Sequence, residues 1–165
     1  MTELISKKEA VENVRLMAKR TALLYQHFAQ TIIDELGEEK GKELITKAIW
    51  SYGKESGSKV KEGVLAMGLP AEAENYNQVP DLPVLGWEFE LLDNPDCEEA
   101  VRITLCPLAE VWLESGFSTI GRIYCQVDQA KYLGYNPELE CLHQKNVLDG
   151  DCCCEIVVKK KNKSS

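Results

Sequence analysis

Residues 87–105, WEFELLDNPDCEEAVRITL, decide the fold. Trp87, Phe89 and Leu91 alternate with Glu88 and Glu90, and Val101, Ile103 and Leu105 alternate with Arg102 and Thr104. A period of two is the mark of a half-buried strand. Between the two runs, DNPDCEE (93–99) supplies turn residues, so the stretch reads as a β-hairpin.

Upstream the period is 3.6. Ser6 and Glu9 in SKKE form a capping box, and Val11, Val14, Met17 (beside Ala18), Thr21, Leu24, Tyr25, Phe28, Ile32 and Leu36 follow at helical spacing until Gly37 stops the helix. A second helical run carries Leu44, Ile45, Ala48, Ile49, Tyr52, Val60, Val64 and Met67, and ends at Gly68 and Pro70. Gly53 and Gly57 lie four apart within it, which either lets another backbone approach or weakens the helix. Residues 75–86 are a Pro-rich connection.

Downstream, CPLAEVWLESG (106–116) opens a helix with Pro107 at its first position and closes it at Gly116. A further helix is expected over about 118–133. A second hairpin is expected from 138–148 through Asp149, Gly150 and Asp151 to 152–159. The order is ααββααββ, an α+β fold in which a helical hairpin precedes four strands forming one antiparallel sheet.

The length of 165 residues fits one domain, with a helical half over about 6–77, an α+β half over about 84–159 and a basic tail over 159–165. The net charge of −8 argues against nucleic-acid or anionic-membrane partners. The opening MTELISKKEAVENV has no apolar core of signal-peptide length, so a cytoplasmic protein is expected, with its seven cysteines mostly reduced thiols. The two long amphipathic helices can pack within the chain or against a second copy, and a homodimer is the expectation.

Cys106, before Pro107, is pushed out of helical geometry and should cap the helix, where free amides favour a thiolate. A packed cysteine ending a strand is the ordinary alternative. Cys125 and Asp128 are spaced to share a helical face with Gly121 and Tyr132, as a metal-ligand pair or as a nucleophile with a proton carrier. In DGDCCCE (149–155), strand alternation sets Cys152 and Cys154 on one face and Cys153 on the other, so the three thiols cannot share one centre. His143 shares a strand face with Cys141 and reads as packed or solvent-facing rather than as a ligand, and His27 as structural. No phosphate-binding glycine loop, G-x-S-x-G or H-E-x-x-H is present.

Over about 104–158 these motifs resemble the L-2-amino-thiazoline-4-carboxylic acid hydrolase family. The resemblance rests on Cys106-Pro107, Cys125 with Asp128, Asn136-Pro137 with Leu139, and Gly150-Asp151 with Cys154-Glu155, in that order. The helical half matches in character only, through YGKESG (52–57), and Ile156 stands where the family usually has an aromatic. The terminal hairpin is also similar, more faintly, to the 4-vinyl reductase domain, a small-molecule-binding module.

The resemblance implies ring-opening hydrolysis of a cyclic amidine-like thiazoline, towards S-carbamoyl-cysteine. Either Cys106 attacks the ring carbon while Asp128 moves protons, or Cys106, Cys125 and Cys154 hold zinc or iron whose water attacks. Cys154 is the member of the cysteine run that the resemblance singles out. Arg102, Arg122 and Tyr132 are candidates for binding the substrate. The other readings are a non-catalytic sensory module that binds a small molecule or metal, and a thiol redox or iron–sulfur accessory protein.

Overall fold

The computed structural model describes residues 5–161. Two long helices, α1 (Lys7–Leu36) and α2 (Glu38–Ala66), form the expected hairpin. The Ser6 hydroxyl accepts from the Glu9 amide as the capping box requires, and Gly37 turns the chain at φ 80°. Two short 3-10 turns, Ala73–Gln78 and Val84–Gly86, punctuate the Pro-rich connection.

Strands β1 (Glu88–Leu91) and β2 (Glu99–Leu105) form the first hairpin, and β3 (Leu139–Lys145) and β4 (Cys154–Lys160) the second. The sheet order is β1-β2-β4-β3, antiparallel throughout, so the two hairpins lie side by side through β2 and β4. The register pairs Cys141 with Val158, His143 with Ile156 and Ile103 with Cys154. These residues therefore share one face of the sheet. Arg102 pairs with Glu155 on the opposite face.

Three helices join the hairpins: α3 (Pro107–Glu114), α4 (Ser118–Tyr124) and α5 (Gln126–Tyr135). The single helix expected over 118–133 is thus broken at Cys125. The break escapes the periodicity because Cys125 keeps φ −60° and ψ −16°, and Asp128 bonds back to the Cys125 carbonyl at 3.4 Å in a 3-10-like step. Two other expectations shift. β4 starts at Cys154, so Cys152 and Cys153 lie in the bend before the strand, outside its alternation. Lys159 and Lys160 belong to β4, not to a solvated tail, and pair with Glu140 and Glu72.

Gly53 and Gly57 serve close approach. A Cβ on Gly53 would meet Ala130 Cβ at 2.6 Å and the Val127 carbonyl at 2.8 Å, and one on Gly57 would run into the Lys131 carbonyl. α2 continues unbroken past both, so they let α5 lie directly against it. From the other side Gly134 of α5 meets the Lys54 backbone in the same way.

The apolar stripe of α1 splits. Ala18, Ala22 and Ala29 are buried and Tyr25 packs against the core, while Met17, Leu24 and Phe28 face out. The small side chains win the inner face because Trp112 must come close enough for its indole N–H to reach the Ala22 carbonyl, at 3.1 Å. One core gathers around Trp112, and a second around Tyr76, Tyr132, Tyr135 and Cys141.

Candidate active site

Cys106 ends β2 and precedes α3 in extended geometry, φ −122° and ψ 111°, with Pro107 at the first helical position. Half-buried, it makes no capping hydrogen bond. The expected thiolate is not favoured: burial pushes the Cys106 thiol above its ordinary range. The Ala109 and Leu108 amides and the Trp87 side chain oppose that push without overcoming it. Desolvation outweighs the helix N-terminus.

Asp128 lies in the first turn of α5, and its Oδ2 is 3.0 Å from His143 Nε2, whose side chain is almost fully buried. His143 Nδ1 is 3.0 Å from Asn146 Nδ2. The orientation of the Asn146 amide is fixed, because its Oδ1 accepts from the Leu148 N–H at 2.9 Å. Nδ2 therefore donates to His143 Nδ1, and the ring hydrogen sits on Nε2 and points at the carboxylate. The Asn146 backbone N–H is in turn held by Asp151 Oδ2 at 2.8 Å, across the αL turn at Gly150.

Cys125 joins this chain. Burial pushes its thiol up to about 12, the Asp128 charge adds to the rise, and the Asn146 side chain opposes it by hydrogen bonding. Cys154 is buried at the start of β4, its sulfur accepting from the Val147 N–H at 3.5 Å. Burial raises Cys154 and Cys141 as well. In both, as in Cys106, the negative charge of Asp128 acts in the same direction. Four thiols thus feel one carboxylate.

Of the expected residues, Asp128 lies near enough to Cys106, Cys125 and Cys154 for its charge to raise each thiol. His143 and Asn146, which sequence reasoning did not select, complete the polar chain. Their signal was slight: a histidine on the same strand face as Cys141, and an asparagine at a hairpin corner. The three candidate binders do not converge. Arg102 is held by Glu155 and Glu90 on the opposite face of the sheet from Cys154. Arg122 lies near enough to Cys125 to lower its pKa, but its Nε is engaged by Asp149 at 2.7 Å. Tyr132 stacks on Tyr76 at 4.4 Å and donates to Glu99 Oε2 at 3.2 Å.

Among the described residues, no three His, Cys, Asp or Glu side chains are grouped to hold a metal ion. The three-thiol zinc or iron site expected from Cys106, Cys125 and Cys154 is therefore not formed by these side chains as they stand. Two surface pockets, of about 190 Å³ beside Val60 and Pro80 and about 400 Å³ beside Cys97 and Lys159, are lined by none of the site residues. Nor is any described helix long and apolar enough to cross a membrane.

The sequence signature of L-2-amino-thiazoline-4-carboxylic acid hydrolase matches residues 16–158, most of the chain. The chain belongs to this family. The match takes in the helical half as well as the motifs around the thiols. No curated protein matches the chain. Among solved structures, the family's architecture here is similar to a trafficking protein particle complex subunit 3 from Naegleria fowleri, covalently bound to palmitic acid. The identity is 18% and the TM-score 0.57, with 89% of this chain and 96% of the other covered. At that identity the likeness establishes a shared fold. Membership of the hydrolase family gives the site a hydrolase-like frame.

Proposed function

We propose that this family member is a cytoplasmic, thiol-dependent hydrolase that opens a cyclic C–N bond in a small thiazoline-like heterocycle. The observation that carries the reading is the single carboxylate, Asp128, bonded to His143 and acting on the thiols of Cys106, Cys125 and Cys154. Such a site has a nucleophile whose proton must be taken and a pair able to take it.

In this mechanism Cys106 Sγ adds to the ring carbon that carries both nitrogen and sulfur, and its proton passes to the Asp128–His143 pair. The pair delivers a proton to the ring nitrogen as the C–N bond breaks. Water then attacks the same carbon and Cys106 leaves, recovering its proton. The net change is one water added across the ring bond. Asn146 holds His143 in the tautomer that faces Asp128.

The test is direct: the full chain is incubated with L-2-amino-thiazoline-4-carboxylate and a panel of related cyclic amidines, and release of free amine is followed. Turnover of at least one supports the reading. No turnover of any sinks it.

One observation favours a second reading, a non-catalytic binding module. Cys106 sits half-buried beside Trp87 with its proton held by desolvation, which suits a thiol that carries a group rather than one that turns it over. The similar trafficking subunit is covalently bound to palmitic acid. Here an acyl thioester would transfer its acyl group to Cys106 and release its own thiol. An acyl mass increment on the purified chain, absent from Cys106→Ser, would favour this reading.

A further inference from the structure

Cys152 and Cys153 stand outside the mechanism built on Asp128, in the bend between the αL turn at Gly150 and the start of β4 at Cys154. An extended strand would send two successive side chains to opposite faces. The bend instead brings the two sulfurs to 3.8 Å, with the Cys152 thiol donating to Cys153 Sγ. All seven cysteines are free, and Cys152 is the exposed one among them, whereas Cys153 is buried. One thiol of the pair meets solvent, and the other is shielded behind it. Cys154 takes no part, because its sulfur is turned to the Val147 N–H.

The charges around the bend divide the work between the two sulfurs. Burial pushes the Cys153 thiol above its ordinary range, its contact with Cys152 and the charge of Glu155 add to the rise, and the Lys145 ammonium opposes them. Lys145 meets Glu155 at 3.1 Å, and after that carboxylate the charges of Cys153 and Cys152 raise its own pKa. A cation thus stands ready for a thiolate on either sulfur. Reactivity follows access and thiolate character, so Cys152 reacts first and Cys153 follows.

We propose that Cys152 and Cys153 form a reversible oxidation site, at which a hydroperoxide closes a disulfide between the two adjacent residues. Cys152 Sγ attacks the peroxide, the O–O bond breaks, and Cys152 becomes a sulfenic acid as the alcohol leaves (water, for hydrogen peroxide). Cys153 Sγ then attacks the Cys152 sulfur, the S–O bond breaks, and the hydroxyl leaves as water with the Cys153 proton. Two thiols are oxidised to one disulfide, and one peroxide is reduced to one alcohol and one water. Neighbouring Cα atoms are about 3.8 Å apart, closer than disulfides usually span, so a small thiol reopens the bond readily.

Peptide mapping of the full chain after a small excess of hydrogen peroxide is the test, with N-ethylmaleimide added in denaturant to block the remaining thiols. The expected peptide, carrying Cys152 to Cys154, lacks two hydrogens and takes up one maleimide, on Cys154. Dithiothreitol before the block restores three maleimides. In Cys153→Ser, dimedone should trap a sulfenic acid on Cys152. Circular dichroism checks the fold of that variant, and the wild-type map decides the matter without it. Three blocked thiols after peroxide overturn the proposal. So does a disulfide from Cys152 to any other cysteine or to a second chain, a sulfinic acid at Cys152 beside a free Cys153, or a bond that dithiothreitol leaves closed.

Discussion

His143 Nε2 donates to Asp128 Oδ2 at 3.0 Å, while its other nitrogen accepts from an asparagine that cannot turn. A proton taken at Asp128 therefore has a buried histidine beside it with a fixed tautomer. A thiol that stays protonated in the folded site needs such a pair. Its own environment works against ionisation, and the two features belong to one device.

Replacing Asp128 by Asn removes the charge that raises Cys106, Cys125, Cys141 and Cys154. Turnover should fall about 100-fold or more, the usual worth of a proton-transfer group. The pH at which Cys125 becomes alkylated should move down at the same time. Iodoacetamide kinetics with peptide mapping measure the second effect. A variant that only loosened the fold would expose all the thiols without this ordered shift.

The buried thiols also set a pH dependence of stability. An unfolded cysteine loses its proton near 8.5, whereas Cys125 in the folded chain holds its proton up to about 12. Above about pH 8.5 the unfolded state binds fewer protons, so stability falls as pH rises. The stabilisation is complete below the unfolded value and is lost on the way up to the folded one. For Cys125 alone the folding constant should drop roughly tenfold per pH unit in that window. Urea denaturation between pH 8 and 11 checks the sign and slope, and Cys125→Ala should make the slope shallower, leaving the share of Cys106, Cys141 and Cys154.

Gly57→Ala places a methyl group on the Lys131 backbone, where neither side is a flexible side-chain end. The expected cost is about 3 kcal/mol, at the upper end of overpacking. Thermal melting measures it. The same change at Gly68, where φ is 76° and nothing lies within 4 Å, should cost only backbone strain.

Since the donors are not grouped for a metal, prolonged treatment with a chelator should leave turnover unchanged. Elemental analysis of the treated protein beside its activity checks this. Parallel loss of a stoichiometric metal and of activity would contradict the account.

The period-two alternation at 87–105, the Asp149-Gly150-Asp151 turn and the cap at Ser6 were enough to place the two hairpins and α1, because each depends on neighbours in sequence. The break at Cys125 was hidden, since a single 3-10-like step leaves the helical spacing intact. The outward face of α1 was hidden too. Apolar spacing marks a stripe, but only the demand of Trp112 for Ala22 decides which flank turns in. Cys106, Cys125, Cys154 and Asp128 could be picked out through their motifs as candidates. His143 and Asn146 were not, because their role depends on the pairing of β3 with β4 and on a corner held by Asp151. The expected thiolate at Cys106 failed for a similar reason. A helix N-terminus can be read from Cys-Pro, but the desolvation that outweighs it comes from distant chain.

The most direct measurement of the central claim is turnover of L-2-amino-thiazoline-4-carboxylate by wild type and by Cys106→Ser, with the fold of each checked by circular dichroism. The account predicts ring opening by wild type and a loss to the uncatalysed rate in the variant. A folded Cys106→Ser that keeps wild-type turnover would contradict it.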